Sequence, residues 1–241
     1  MEKINNLAEG LTEAAGEIIL CSDSDCLLQP QQLRVMMRYL LSSPHIGAVC
    51  CGYDCKGIKG MGSILDAITY TQTCLLRWNI FGRPFFLGDC MAIKRHLLER
   101  IGGFNSIRNY ITEDLILAQK LKEIGYRAIF IHLPVMVTVG VESFHSWFSR
   151  LHRHILSLRL ISPFSGVVMT SGIILLSFGY LILSLINFTK PSDINLAMSL
   201  FIICLFLRIS PMTLYNMKFL NAGMGRYFLL FPITDLIYAV V

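Results

Sequence analysis

The stretch Ile18–Asp25, which reads Ile-Ile-Leu-Cys-Ser-Asp-Ser-Asp, carries the strongest local signals of this 241-residue chain. An apolar run bounded by polar turn residues indicates a buried strand, predicted over Glu17–Cys21. Residues two apart in an extended chain face the same way, so Asp23 and Asp25 could reach one divalent cation. The same acids could instead form a turn that caps the following chain. The stretch therefore predicts a sheet strand that ends at a metal site or at a turn.

Helices and strands alternate on both sides of this stretch. The predicted helices cover Leu7–Ala15, Gln31–Leu41, Ile64–Trp78, Lys94–Ile101 and Thr112–Ile124, and the other predicted strands cover Gly47–Tyr53, Pro84–Ile93 and Arg127–Leu133, the last ending before Pro134. Such alternation indicates an α/β sheet domain. The glycine-rich segment Gly57–Gly62 does not have the spacing of a phosphate-binding loop and is predicted to be a flexible loop.

The composition is more apolar than that of a soluble chain. Hydrophobic residues make up 54% and charged residues 15%, against about 45–50% and about 25% in average soluble proteins. Residues 1–160 carry 17 of the 21 Lys and Arg and 14 of the 16 Asp and Glu. These values exclude a disordered chain, a highly charged nucleic-acid module and an ordinary soluble domain over the whole length. The net charge of +5 requires no nucleic-acid partner.

The last third of the chain has the pattern of membrane spans. No charged residue occurs between Leu160 and Thr189, and about 20 apolar residues suffice to cross a bilayer. Two to three transmembrane helices are predicted, near 164–186, 194–212 and 227–241. The segment between the second and third spans contains basic residues and no acid. The positive-inside bias therefore predicts a multi-pass membrane protein whose residues 1–160 are cytoplasmic.

An amphipathic helix is predicted over residues 144–160, before the first span. Its apolar stripe consists of Phe144, Trp147, Phe148, Leu151, Ile155 and Leu158. Arg150, Arg153 and His154 lie on another face, at helical spacing. The pattern is typical of a helix in the membrane interface. Its arginines could contact lipid headgroups, or they could neutralise a diphosphate, for which guanidinium groups are well shaped.

The segment Thr112-Glu113-Asp114 opens a predicted helix, with Thr112 as its N-cap. Acids in a first helical turn stabilise the helix dipole. A carboxylate held at the edge of a sheet could also take a proton from an acceptor hydroxyl.

Four stretches, read in chain order, carry a resemblance to a known family: Ala15–Asp25, Gly88–Arg95 with Gly102–Phe104, Thr112–Leu115 and Arg150–His154. Together they resemble the inverting family 2-type glycosyltransferases of the GT-A fold. The likeness is greatest to the ceramide glucosyltransferase group, which includes bacterial hopanoid-type lipid glycosyltransferases. It implies an α/β, GT-A-like (Rossmann-like) nucleotide-sugar domain over 1–143, the interfacial helix over 144–160 and a transmembrane region over 161–241. Because the family opens with a nucleotide-binding strand that has no match here, the resemblance implies an N-terminally truncated domain.

The resemblance also implies roles for single residues. Asp23 and Asp25 match the D-x-D motif that holds Mn²⁺ or Mg²⁺ on the donor diphosphate. Asp114 matches the catalytic base, with Glu113 beside it as a substrate-binding residue.

The last of the four stretches matches a motif that closes over the diphosphate. Arg150, Arg153 and His154 fall on this (Q/R)-x-x-R-W motif, with His154 at the place of the tryptophan. The implied function is the inverting transfer of one sugar, glucose or N-acetylglucosamine, from a UDP-sugar to a lipid hydroxyl such as that of ceramide. The implied partners are the UDP-sugar, a membrane lipid and the bilayer. A processive polysaccharide synthase and a truncated or degenerate non-catalytic membrane protein of the same fold remain as alternatives.

Overall fold

The computed structural model describes residues 2–77, 87–110, 112–140 and 142–161, together with single positions between 199 and 234. The chain forms two compact units. The first consists of Met1–Lys56 and Leu76–Thr138, and the second of Gly57–Leu75 and Val139–Val241.

Helices and strands alternate along the described chain, as the sequence predicts. The helices are α1 (Glu2–Glu13), α2 (Gln32–Leu41), α3 (Met61–Arg77), α4 (Arg95–Arg100), α5 (Glu113–Glu123) and α6 (Phe144–Ile161), and the strands are β1 (Ile18–Ser22), β2 (Cys26–Leu27), β3 (Ile46–Lys56), β4 (Cys90–Lys94) and β5 (Arg127–Thr138). A 3₁₀ turn covers Phe104–Ile107. The short strand β2 has no counterpart among the predicted elements, and α1 begins five residues before the predicted start.

The first unit is built on a mixed sheet. Its strand order among the described residues is β1-β4-β3-β5-β2. Strands β3 and β5 are parallel, whereas β1 and β3 both pair antiparallel with β4, and β2 pairs antiparallel with β5. All residues of β3 before Lys56 are buried, as expected for an apolar strand in the middle of a sheet. The α/β class is therefore confirmed.

Strand β5 continues through Pro134, so the prediction that the strand ends at Leu133 is wrong. Ile131 of β5 pairs with Cys51 of β3, and the next pair is Val135 with Tyr53. Four steps along β5 thus correspond to two along β3, and the resulting bulge removes Pro134, which has no N–H, from the ladder. The buried amide of Gln32 donates to the carbonyl of Leu133 at 2.7 Å and satisfies the bulged backbone.

In the second unit, α6 packs against α3. Trp147 and Leu151 of α6 are buried against Leu65 of α3, and the indole Nε1–H of Trp147 donates to Thr69 Oγ1 at 3.2 Å. A Cβ on Gly62 would overlap the backbone carbonyls of Glu142 and Ser143. The flexible loop predicted over Gly57–Gly62 is therefore wrong at its last two residues, which begin α3, and close packing of two backbones requires glycine at position 62.

The predicted spans near 164–186, 194–212 and 227–241 lie almost entirely outside the described residues. Within the residues that are described, no helix combines the length and the apolar character needed to cross a bilayer. The spans therefore stay a prediction.

Candidate functional site

The acids after β1 lie in a turn. The N–H of Cys26 donates to the carbonyl of Asp23 at 3.1 Å, so this segment folds back instead of remaining extended as the spacing argument assumed. The N–H of Asp23 donates to the carbonyl of Asp89 at 2.8 Å, and the N–H of Thr138 donates to the carbonyl of Asp25 at 3.0 Å. Both aspartates are thus fixed through their backbones at the sheet edge where β1 ends.

Lys3 of α1 brings the first two predicted regions together. Its Nζ lies 2.9 Å from Asp23 Oδ1 and 3.4 Å from Glu113 Oε1. Burial alone would lower the pKa of Lys3, but the hydrogen bond and charge of Asp23, with Glu113 and Asp89, outweigh it and raise that pKa. Lys3 therefore stays protonated between two carboxylates that are 90 residues apart in sequence.

Asp114 lies in the first turn of α5, where the sequence places it. Its Oδ1 accepts the N–H of Leu115 at 2.8 Å, which fixes the plane of the carboxylate. A Cβ built on Gly88 would lie 3.6 Å from Asp114 Cβ and 3.3 Å from Lys3 Nζ. Thr112 is the N-cap residue of α5, as the sequence predicts, although its side chain makes no capping hydrogen bond.

Asp89, just before β4, is an acid that sequence reasoning missed. Burial, followed by the charge of Asp23, raises its pKa to about 7, with Asp114 and Asp25 adding to the effect and Lys3 opposing it. Asp89 belongs to the stretch Gly88–Arg95 that carries part of the family resemblance, but nothing in the sequence pattern indicated that it lies near the other acids.

The acidic cluster is defined here as Asp23, Asp25, Asp89, Glu113 and Asp114. Burial is the main cause of the raised pKa of Asp89, and the negative charges of Asp23, Asp114 and Asp25 add to it. A divalent cation would offset that added repulsion. Carboxylate oxygens are the ligands that Mn²⁺ and Mg²⁺ prefer. In the described part of the chain, no three or more His, Cys, Asp or Glu side chains come together closely enough to hold a metal ion. The described side chains therefore do not form a complete metal site by themselves.

A second group of charges lies in the second unit, around Arg150 of α6. Its Nη1 lies 2.7 Å from Asp66 Oδ2, and its Nη2 forms an ion pair with Glu142 Oε1. The side chain of Asp66 is 3% exposed and that of Arg150 is 32% exposed. Arg150 also donates a hydrogen bond to the hydroxyl oxygen of Tyr70. Arg150, Asp66, Glu142 and Tyr70 are called the Arg150 cluster below.

The sequence predicts the helix of Arg150 but not its acidic partners. Arg153 is exposed, and the side chain of His154 lies outside the described residues. Two members of the predicted apolar stripe, Trp147 and Leu151, are buried within the unit, whereas Phe144 is exposed. The sequence feature that could have drawn attention to Asp66 is its position as an acid inside the apolar run of α3.

Several known proteins are similar to this chain. Ceramide glucosyltransferase 1 of Caenorhabditis elegans is 25% identical over 187 residues, which cover 73% of this chain and 40% of that protein. The cellulose synthase catalytic subunit [UDP-forming] of Pseudomonas fluorescens is 26% identical over 166 residues, covering 64% of this chain and 21% of that protein. The chain thus spans two fifths or less of these relatives. The mannosyltransferase PcManGT of Pyrobaculum calidifontis, solved with GDP-Man and Mn²⁺, aligns over 97% of this chain and 66% of its own, with 23% identity and a TM-score of 0.48.

The resemblance to the ceramide glucosyltransferase group is therefore confirmed at the level of family. The pattern described as Glycosyl transferase family 21 matches residues 2–241, almost the entire sequence. This chain belongs to glycosyl transferase family 21.

Proposed function

We propose that this chain transfers one sugar from a UDP-sugar to a hydroxyl group of a membrane lipid, with inversion at the anomeric carbon. One observation carries the proposal: Lys3 holds Asp23 and Glu113 together beside Gly88 and Asp114. These contacts support a shared site for Asp23, Glu113 and Asp114. A GT-A-like fold is part of the proposal, supported by family membership and by the mixed sheet.

In the proposed site, Asp23 and Asp25 hold Mn²⁺ or Mg²⁺. When bound, the metal would supply positive charge that offsets the charge on the leaving diphosphate. Two carboxylates are a common protein contribution to such a site, with substrate phosphates as further ligands.

Asp114 acts as the general base in this proposal. The acceptor oxygen attacks the anomeric carbon, its proton passes to Asp114, and the bond from that carbon to the diphosphate oxygen of UDP breaks. The N–H of Leu115 stabilises the ionised carboxylate and fixes its orientation. Glu113, next to Asp114, is proposed to bind the substrate, and it forms an ion pair with Lys3.

Arg150, Arg153 and His154 are proposed to contact the donor diphosphate. Guanidinium groups match the geometry of phosphate oxygens and remain charged at all working pH values. His154 in place of the family tryptophan presents a smaller ring, so the contact on the acceptor side is expected to be weaker.

The finer proposals concern substrates and location. Glucose or N-acetylglucosamine as the donor sugar and a ceramide-like acceptor are suggested by the resemblance and by the name of the worm relative. The apolar segments near 164–186, 194–212 and 227–241 support a multi-pass membrane protein with a cytoplasmic catalytic part. A degenerate non-catalytic protein of the same fold is the alternative that His154 favours.

A processive polysaccharide synthase is the second candidate enzyme, favoured by the cellulose synthase relatives. Cellulose synthase subunits of Pseudomonas fluorescens and Xanthomonas axonopodis are 26% and 28% identical to this chain. The length of the glycan product distinguishes the two activities, since transfer of one sugar gives a monoglycosylated lipid.

Thermal unfolding of the purified chain with Mn²⁺ and UDP tests the donor site. A ligand at 100 times its Kd stabilises a protein of this size by about 5–10 °C. We expect that shift in the wild type and its loss in Asp23→Asn. Glu99→Gln is the matched control, because Glu99 is an exposed acid paired with Arg95. A shift that survives in Asp23→Asn would contradict the metal assignment, and no shift in the wild type would contradict donor binding.

A further inference from the structure

Helix α3 presents a polar face to the segment that leads into α6. Ser63 donates to the carbonyl of Gly140 and accepts the N–H of Glu142 at 3.1 Å. One turn later Asp66 pairs with Arg150, and one turn further Tyr70 accepts a hydrogen bond from the same guanidinium. Residues 63, 66 and 70 share a helix face. The face therefore fixes both Glu142 and Arg150 with respect to one helix.

The Arg150 cluster contains more negative than positive charge. Two carboxylates, those of Asp66 and Glu142, contact one guanidinium, and both are at least nine-tenths buried. Glu142 Oε2 is buried without a hydrogen-bond partner among the described residues. Burial raises the pKa of Asp66 to about 6, with Glu142 adding to the effect and Arg150 opposing it. An ionised Asp66 is therefore less favourable to folding than a neutral side chain of the same shape.

A purely structural role does not require this arrangement. Asparagine has the shape of aspartate and would leave Arg150 and Glu142 as a balanced pair, but its amide oxygen would hold Arg150 only by a weaker hydrogen bond to a neutral acceptor. Charges retained at a cost in stability are typical of functional sites. About a third of the Arg150 side chain is exposed, while its buried edge is held from two sides. A guanidinium with one edge fixed and the rest accessible is preorganised to bind an anion.

We propose that Asp66, together with Glu142, is a positioning residue that locks the Arg150 guanidinium in the orientation in which it binds the donor diphosphate. This inference rests on the proposed function, because it adds a residue to the diphosphate contact assigned there to Arg150. Asp66 does not touch the substrate and acts only through Arg150. Replacing the carboxylate would leave Arg150 charged but held more weakly, so that its side chain could adopt other rotamers. Binding of the diphosphate would then cost additional side-chain conformational entropy.

The test uses the full chain and the variant Asp66→Asn. The first measurement is the rate at which phenylglyoxal modifies Arg150 at pH 7.5, quantified by mass spectrometry. The second is the Kd for UDP in the presence of Mn²⁺. The third is the midpoint of thermal unfolding. Thr69→Val is the matched control, because Thr69 lies on the same helix and holds Trp147 instead of Arg150.

We expect Asp66→Asn to raise the modification rate of Arg150 and to raise the Kd for UDP about tenfold, the effect of replacing one strong charged hydrogen bond by a weaker one to a neutral acceptor. The unfolding midpoint should stay equal or rise. Thr69→Val should show the opposite pattern, with a lower midpoint and an unchanged Kd. A purely structural role of Asp66 would not produce weaker binding together with retained stability.

The outcomes separate the two proposals. If Asp66→Asn leaves the modification rate and the Kd unchanged, the positioning role is wrong, whatever the wild type does. If UDP neither binds the wild type nor protects Arg150 from phenylglyoxal, the proposed diphosphate contact is wrong, and the positioning role falls with it. Weaker UDP binding in Asp66→Asn that is accompanied by a collapse of the unfolding midpoint would also overturn the proposal.

Discussion

The two charged clusters of the molecule each place one basic side chain among an excess of acids, but they differ in burial. In the acidic cluster, the side chains of Lys3 and Asp23 are 40% and 32% exposed. In the Arg150 cluster, Asp66 and Glu142 are 3% and 10% exposed. A lysine ammonium is a compact charge on a flexible stem, whereas the arginine fork is rigid and planar. The first cluster is therefore built to exchange one cation for another, and the second to keep its cation fixed.

The largest effect is expected from a change of the base in the acidic cluster. Asp114→Asn removes the group that accepts the proton, and should lower sugar transfer about 10³-fold, within the usual range for a general base. The Kd for UDP should change less than about twofold, because no diphosphate contact is lost. The measurements are the initial rate of transfer of radiolabelled sugar into extracted lipid and a titration with UDP. Glu113→Gln, beside it, should retain more activity. Wild-type rates in Asp114→Asn would refute the assignment of the base.

A second prediction concerns pH and the Arg150 cluster. The pKa of Asp66 is about 6 in the folded chain, above its ordinary value of 3.8. Between these two values the folded chain holds a proton that the unfolded chain has released. The resulting stability is fully present below pH 4 and is lost as the pH rises through 6. It amounts to about 3 kcal/mol.

Urea unfolding of the wild type and of Asp66→Asn from pH 4.5 to 8 measures this effect. We expect the difference in unfolding free energy between the two proteins to grow in favour of Asp66→Asn as the pH rises, and to level off above pH 7. A difference that does not depend on pH would mean that Asp66 titrates near its ordinary value.

A third prediction compares two helical glycines, one in each unit. Gly62→Ala places a methyl group against the backbone carbonyls of Glu142 and Ser143, and should destabilise the chain by about 2 kcal/mol. Gly10 of α1 has no atom within 4 Å of an added Cβ, so Gly10→Ala should stabilise it by about 0.5–1 kcal/mol. Urea unfolding measures both changes. Equal effects of the two substitutions would contradict the close packing at Gly62.

The smallest effect is expected at Lys3. Lys3→Met should lower the unfolding free energy by less than about 1 kcal/mol, because the ion pair is partly exposed. It should also leave binding of Mn²⁺ intact or tighten it, since Asp23 no longer has a competing cation. Lys94→Met is the control, because the ammonium of Lys94 donates to the carbonyl of Pro44 and forms no ion pair within the described part of the chain. A loss of Mn²⁺ binding in Lys3→Met would show that Lys3 supports the metal site.

Local patterns predicted the parts of the molecule that depend on nearby residues. The strand before Asp23, the helix that opens at Glu113 and the helix of Arg150 all follow from periodicity and end signals. The partners of these residues could not be predicted, because Lys3 reaches Asp23 across 20 positions and Arg150 reaches Asp66 across 84. Such pairs depend on how the elements pack. The end of β5 was predicted wrongly for a similar reason. The strand can continue through Pro134 only because its pairing with β3 forms a bulge there and Gln32 satisfies the bulged backbone.

The bulge at Pro134 also limits how β5 can change in length during evolution. Ile131 and Val135 are both buried and four positions apart, while their partners Cys51 and Tyr53 are two apart. In this interval β5 therefore contains two more residues than β3. Because two is an even number, the same face of β5 points inward on both sides of the bulge. A deletion of one residue would turn Val135 and Val137 outward and move Thr138 away from the carbonyl of Asp25. Insertions and deletions in this strand should survive selection only in steps of two.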